Sequence, residues 1–256
     1  MDIIKLNIFQ FSLIYLLLLV VLAIMKKAKI DQTRLLIYAS FRMSVQLYLA
    51  GLVLTYILKN PHPLFTVAYI IAMTAFATAR VLGKNKELNS KFKLAIALSL
   101  SGAGTLVVLF FVQIVVGTNF FNPQYTIPLS GMIFGNAMTG LTLALRTFSQ
   151  DLKAQRNRIE SLLYVGVSPQ KILLPFMNNA LETALLPTLN SMMGMGIISL
   201  PGMMTGQILS GTLPMTAILY QIAIMIAILT VVCLSVFSAL YFGYHTLYNK
   251  QNQITF

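Results

Sequence analysis

Seven apolar runs, each close to the ~20 residues that a helix needs to cross a bilayer core, follow one another along this chain. They are approximately Leu6 to Met25, Leu35 to Leu58, Leu64 to Leu82, Leu94 to Val116, Ile127 to Leu145, Ala180 to Leu200 and Ala217 to Tyr241. Inside hydrocarbon every backbone N–H and C=O must be satisfied within the protein, which leaves only helices and closed barrels. Uninterrupted runs of this length belong to helices. Composition agrees: 57% of the 256 residues are hydrophobic and 9% are charged, against about 25% charged in soluble domains. The expected fold class is all-α, a polytopic integral membrane helix bundle of about seven transmembrane helices, with residues 1–256 forming a single transmembrane domain in the cell membrane. The first run lacks a basic leader and a small-residue cleavage site, so it reads as a retained span and not a signal peptide.

The loops orient the bundle. Fifteen of the 18 Lys and Arg fall in segments 26–34, 80–93 and 146–171 or at Lys250, against Lys5 and Lys59 on the other side and Arg42 inside a span. Basic loops stay in the cytoplasm, so the N-terminus is expected outside and the C-terminus inside. This placement also explains the net charge of +12 by topology and anionic lipid contact, with no nucleic-acid partner expected. Cys233 is the one cysteine, so no intramolecular disulfide forms, and it reads as a small buried hydrophobe. The final run can extend helically to Tyr248, with Tyr241, Tyr244 and Tyr248 as interfacial anchors.

Residues 146–175 are the one long polar excursion between spans. From Arg156 onward, Ile159, Leu162 and Leu163 recur at helical spacing among Arg156, Arg158 and Glu160, which describes a short amphipathic cytoplasmic helix. Gly166 supplies a stop, and Ser168-Pro169 a new start, serine as N-cap and proline at the first helical position. The same pattern also suits a solvated connector lying on anionic lipid. Glu160-Ser161-Leu162 followed by Gly166 is similar to the Glu-Ala-Ala-x-x-x-Gly loop through which ABC transporter permeases dock on their ATPase, although Ser161 and Leu162 stand where that loop has alanines.

A wider resemblance covers the chain from about residue 35. Phe41-Arg42 with Val45-Gln46-Leu47, Ile127-Pro128 with Gly131-Met132-Ile133 and Gly135-Asn136-Ala137-Met138, the block Ser199-Leu200-Pro201-Gly202-Met203-Met204-Thr205-Gly206, and Tyr220-Gln221-Ile222 resemble the FetB family of ABC permeases, related to plant proteins of aluminium tolerance. The resemblance implies a permease domain that exports iron, pairs with a FetA-type ATPase and works as a homodimer. It also implies that 146–175 is the coupling loop, with Arg156, Glu160, Leu163, Gly166, Ser168 and Pro169 as coupling residues. The sequence adds independently that no Gly-x-x-x-x-Gly-Lys-[Ser/Thr] phosphate loop is present. The chain is therefore expected to be no enzyme and to bind no cofactor, with ATP held by the partner subunit.

Polar side chains inside spans are costly and face the bundle interior or a water-filled path. At ~1.5 Å rise per residue, Gln46, Asn136 and Asn190 come out roughly 14–16 Å into their spans, near the midplane where transporters place substrate, or else as interhelical hydrogen bonds. Arg42 lies about 10 Å in from the cytoplasmic side, and Glu182 near the cytoplasmic end of its span; the two can pair as a clamp or a gate. Arg42, Gln46, Asn136, Glu182, Asn190, Met203 and Met204 are the transport-pathway candidates. Gly131 and Gly135 form a GxxxG pair suited to close helix approach or a dimer seam.

Six methionines lie between Met192 and Met215: Met192, Met193, Met195, Met203, Met204 and Met215. Thioethers suit Cu(I) better than iron, yet such a stripe reads first as adaptable packing around a moving helix. His62 and His245 fall on opposite sides of the membrane, no metal-ligand constellation is visible, and metal ligands stay unassigned. Pro201-Gly202 is expected to end the sixth span, with 199–214 a plain external loop or a re-entrant one. The alternative function is a secondary transporter or channel without an ATPase, for which Arg42 and Glu182 are the only ion-coupling candidates.

Overall fold

Asparagine and proline set where the helices begin. In the computed structural model, which describes residues 7–85 and 87–248, Asn7 caps α1 (Ile8–Lys27): its side chain accepts from the Phe9 N–H, while Gln10 reaches back to the Asn7 N–H. The His62 ring caps α3 (Pro63–Lys84), accepting from the Leu64 N–H at 3.2 Å. Asn89 caps α4 (Ser90–Phe110) and Asn122 caps α5 (Pro123–Ala154), accepting from Phe92 N–H at 2.7 Å and Gln124 N–H at 3.1 Å. Each side-chain cap contributes about 1 kcal/mol. Proline opens α3, α5, α7 (Pro169–Gly194) and α9 (Pro214–Tyr244), where its missing N–H would have had no helical partner. The remaining helices are α2 (Thr33–Lys59), α6 (Arg156–Tyr164) and α8 (Gly202–Leu209), and α4 runs on into a π-helical turn, Phe111–Val115. Among the described residues the fold is all-α, with a single isolated bridge between Met195 and Ser199. Lys5, Leu6, Lys86 and Lys250, which entered the first span or the charge bias, lie outside the described residues.

The described chain divides into two compact units. The first holds α1 and α2, together with residues 209–211. Tyr15 Oη and Ser44 Oγ meet at 2.6 Å between its two helices. None of the apolar window of α1 and only 6% of that of α2 is buried. A helix that is apolar all round and uncovered needs hydrocarbon as its solvent.

The second unit is a bundle of α3, α4, α5, α7 and α9 with α6 against it. Its core runs along the α4–α9 seam, where Phe92, Ile96, Leu100, Val232, Val236 and Leu240 are fully enclosed. In lipid there is little hydrophobic gain between helices, so close packing does most of the holding. Glycine makes it possible: a Cβ on Gly243 would overlap the Phe92 ring, one on Gly104 the Phe134 ring, and one on Gly140 would come within 2.6 Å of Val232. One end of this unit gathers the basic segments. There Lys153 Nζ meets Glu87 Oε2 at 2.6 Å, Asn89 Nδ2 donates to the Thr246 carbonyl at 2.8 Å, and Gln170 Nε2 donates to Tyr248 Oη at 3.2 Å.

Four expectations change. Among the described residues six helices, α1 to α5 with the π turn and α9, are long and apolar enough to cross a membrane, one fewer than the seven apolar runs. The exception is α7, whose asparagines, threonines, Glu182 and internal Pro175 and Pro187 dilute its hydropathy. The sixth run is also displaced: its helix starts at Pro169 and stops at Gly194, because the chain turns at Gly196, where φ is +81°. Pro201-Gly202 therefore does not end that helix but begins α8. Residues 146–154 are helix, the last turns of α5, so the polar excursion has less loop than its composition suggests. Finally, α9 ends at Tyr244, and Tyr248 is reached through a turn closed by Thr246 N–H to the Gly243 carbonyl and Leu247 N–H to the Tyr244 carbonyl.

Candidate functional site

Two places in the second unit carry polar groups that packing alone does not require. The first is a cavity of about 320 Å³ among α5, α7, α8 and α9. Met132 and Asn136 reach it from α5, Pro187, Thr188 and Ser191 from α7, Met203 from α8, and Gln221 and Met225 from α9, with Met195 from the turn after α7. Pro187 removes a helical N–H and with it the bond to the Thr183 carbonyl, loosening α7 beside the cavity. The Asn136 amide donates to the Met132 carbonyl at 2.8 Å, and Gln221 Nε2 points at Met195 Sδ at 3.9 Å. Gln221 is only 7% exposed, and its Oε1 is buried without a hydrogen-bond partner. Leaving such an acceptor dry costs about 1–3 kcal/mol.

Of the residues expected along a transport path, Asn136 and Met203 line this cavity, whereas Met204, Asn190 and Glu182 do not. Arg42 and Gln46 belong to the first unit. There the Arg42 guanidinium donates to Tyr38 Oη at 3.4 Å and lies 5.9 Å from the centre of the Tyr38 ring. Sequence reasoning missed Gln221, Thr188, Met132, Met195 and Met225 as a set. The available signal was that Gln221 is the one amide in the run 217–241.

The second place is the basic end. A groove of about 920 Å³ is lined by Arg80, Lys84, Arg146, Lys153 and Glu87. Lys153 holds the Glu87 carboxyl below its ordinary pKa, by hydrogen bond first and charge second. A depressed carboxyl stabilises the fold above its unfolded pKa and ceases to as pH falls through the folded one. Both side chains are largely exposed, so the effect on stability is small. Lys153→Ala is expected to move the Glu87 titration upward, read from its carboxyl carbon by NMR; an unmoved titration would mean that the pair does not form in solution.

Beside the groove, α6 is pinned by Ile159, which is fully buried, with Leu162 and Leu163 packed against the core. Its end is a glycine-stopped turn: Gly166, at φ +87°, donates to the Leu163 carbonyl and Val167 to the Leu162 carbonyl, both at 3.0 Å. Ser168 occupies the cap position of α7 without a side-chain cap bond, and Pro169 is buried at its first turn. Arg156 Nε and Glu160 Oε1 meet at 2.8 Å along the helix. The most exposed apolar side chains here are Tyr164 and Val165, at 88% and 82%. Neither was singled out from the sequence, because both fall off the stripe of Ile159, Leu162 and Leu163.

The segment 197–206 splits by exposure. Ile197 is 91% exposed, while Met203 faces the cavity. In a Cys233→Ser background, Ile197→Cys is expected to react roughly tenfold faster with an impermeant thiol reagent than Met203→Cys; equal rates would place Met203 on an open loop. Cys233 itself is half-buried, less enclosed than expected.

Six helices among the described residues, each apolar and long enough to span a bilayer, define a multi-pass membrane protein. The chain belongs to the UPF0014 family, matching over residues 8–248 the family described as "Uncharacterised protein family (UPF0014)". It is 32% identical over 251 residues to the "Probable iron export permease protein FetB" of Escherichia coli, covering 97% of this chain and 95% of that one. It is 32% identical to the "UPF0014 membrane protein YjkA" of Bacillus subtilis, over 88% of this chain and 91% of that one. Similarity extends to "Protein ALUMINUM SENSITIVE 3" of Arabidopsis thaliana, at 30% over 95% of this chain and 87% of that one. The family resemblance drawn from the sequence motifs is thereby borne out. No solved structure matches the chain.

Proposed function

We propose that this protein is the membrane subunit of an ABC exporter for iron or another metal, driven by a separate cytoplasmic ATPase of the FetA type. The carrying observation is α6: a short helix pinned by Ile159, ending in an exposed Tyr164-Val165 pair at the basic end of the unit. An aromatic and an aliphatic side chain held outward on a rigid turn are the anchor that a partner's groove takes. The name of the Escherichia coli relative supports a metal as cargo. In this reading the basic end faces the cytoplasm and its anionic leaflet, the N-terminus is outside, and α7 crosses the membrane despite its polar residues because they face the cavity and the bundle. Two copies of the chain form the working permease, with Gly135, which has no neighbour within 4 Å of a would-be Cβ, free for the second copy. ATP stays on the partner.

The test is reconstitution of the chain with a FetA-type ATPase. Co-purification is expected, together with ATP-dependent Fe(II) movement that stops when the ATPase phosphate-loop lysine is replaced. Transport that persists without the ATPase would favour a secondary transporter or channel.

A further inference from the structure

The cavity among α5, α7, α8 and α9 is lined by four thioethers, Met132, Met195, Met203 and Met225, and by no ionisable side chain. Each of its two amides spends an N–H within the protein. Asn136 must present nitrogen to the Met132 carbonyl, because two carbonyl oxygens cannot share a hydrogen bond, and Gln221 turns its nitrogen to Met195 Sδ. The methionine sulfurs and the buried, unpartnered Gln221 Oε1 offer lone pairs to a ligand. With no cationic side chain to hold an anion, these neutral sulfur and oxygen donors suit a cation. The absence of carboxylates disfavours hard divalent ions, whereas thioethers favour soft ones.

We propose that this cavity is a binding site for a soft monovalent metal cation of the Cu(I) class, held by methionine sulfur with Gln221 Oε1 as an oxygen donor. Only two of the six clustered methionines, Met195 and Met203, take part; Met132 and Met225 come from elsewhere in the sequence. Neutral ligands bind less firmly than thiolates, which suits an ion that has to leave again. As cargo, the ion rests on the permease reading above; as a bound ligand, it does not.

The test titrates the full-length purified chain, without ATPase, with Ag(I) as an air-stable probe, followed by calorimetry and by X-ray absorption at the silver edge. One ion per chain with sulfur in its first shell is expected. The Met195→Leu/Met203→Leu variant, which preserves apolar volume, is expected to bind about tenfold or more weakly, a change of about 1.4 kcal/mol. A Met193→Leu/Met215→Leu variant, altered at side chains that are 75% and 73% exposed, is expected to bind as the parent does. If the first variant does not fold, the absorption spectrum of the parent and titration of Gln221→Leu, expected to bind more weakly, decide. Absent Ag(I) binding, a first shell without sulfur, equal binding by the two methionine variants, or Fe(II) bound more tightly than Ag(I) would each overturn the proposal. Failure of ATP-dependent transport with Ag(I) binding intact would instead overturn the exporter reading alone.

Discussion

Replacing Tyr164 and Val165 together by serine is expected to release the ATPase while leaving the membrane bundle folded. Both side chains are more than four-fifths exposed, so the chain loses almost no internal packing with them. A docked partner would lose its anchor. Truncating a central aromatic at an interface costs about 2 kcal/mol or more, roughly 30-fold in Kd. Arg156→Ala is expected to do much less, because Arg156 pairs with Glu160 along the helix and an exposed pair of this kind is worth about 0.3–0.5 kcal/mol. Gly166→Val and Glu160→Arg are expected to act indirectly. The first forces a β-branched residue to φ +87°, which disturbs the turn presenting Tyr164; the second turns the attraction to Arg156 into repulsion. Titration of the ATPase onto detergent-purified permease reads all four variants. If the serine pair binds and stimulates the ATPase normally, α6 is a connector, and the coupling contact moves to residues 80–93.

How far the sequence reaches is visible in the two functional places. The amphipathic helix at Arg156–Tyr164, the stop at Gly166 and the restart at Pro169 were readable, because each depends on local chemistry: a stripe at helical spacing, a residue that tolerates positive φ, and a ring that fixes the first turn. The outward pair Tyr164-Val165 was not, because exposure depends on which face the neighbouring helices cover. The cavity shows the same limit. Asn136 and Met203 stood out as polar or clustered residues, but their meeting with Met225 and Gln221 is tertiary. Depth along a helix cannot supply direction around it, which is why Asn190, at similar expected depth to Asn136, does not line the cavity. The sixth apolar run was displaced for a different reason. Residues 197–200 continue the apolar run, but α7 stops at Gly194 and the chain turns at Gly196 before them, and hydropathy averages over such breaks.

The glycines separate packing inside one chain from surface left for another, and Gly243 gives a large expected effect on stability. A valine there would put its Cβ into the Phe92 ring, which is fully buried between α4 and α9 and edge-on to Phe148 at 6.4 Å. The ring cannot retreat, since its own helix start is fixed by Asn89 and by the Asn89–Thr246 hydrogen bond beside it. Overpacking of this kind costs about 1–3 kcal/mol and sometimes more. Phe92→Ala alone should cost about 3–5 kcal/mol through its cavity. Because the two changes act on the same volume, the double variant is expected to be more stable than the sum by about 0.5–3 kcal/mol, measured as thermal or denaturant unfolding in detergent. Strict additivity would mean that the α4–α9 seam is looser than described. A Cβ at Gly135 meets no atom of its own chain within 4 Å, so the unfolding of Gly135→Ala should stay close to the parent's. Any loss should then appear in the association of two copies, which chemical cross-linking in the membrane reads directly.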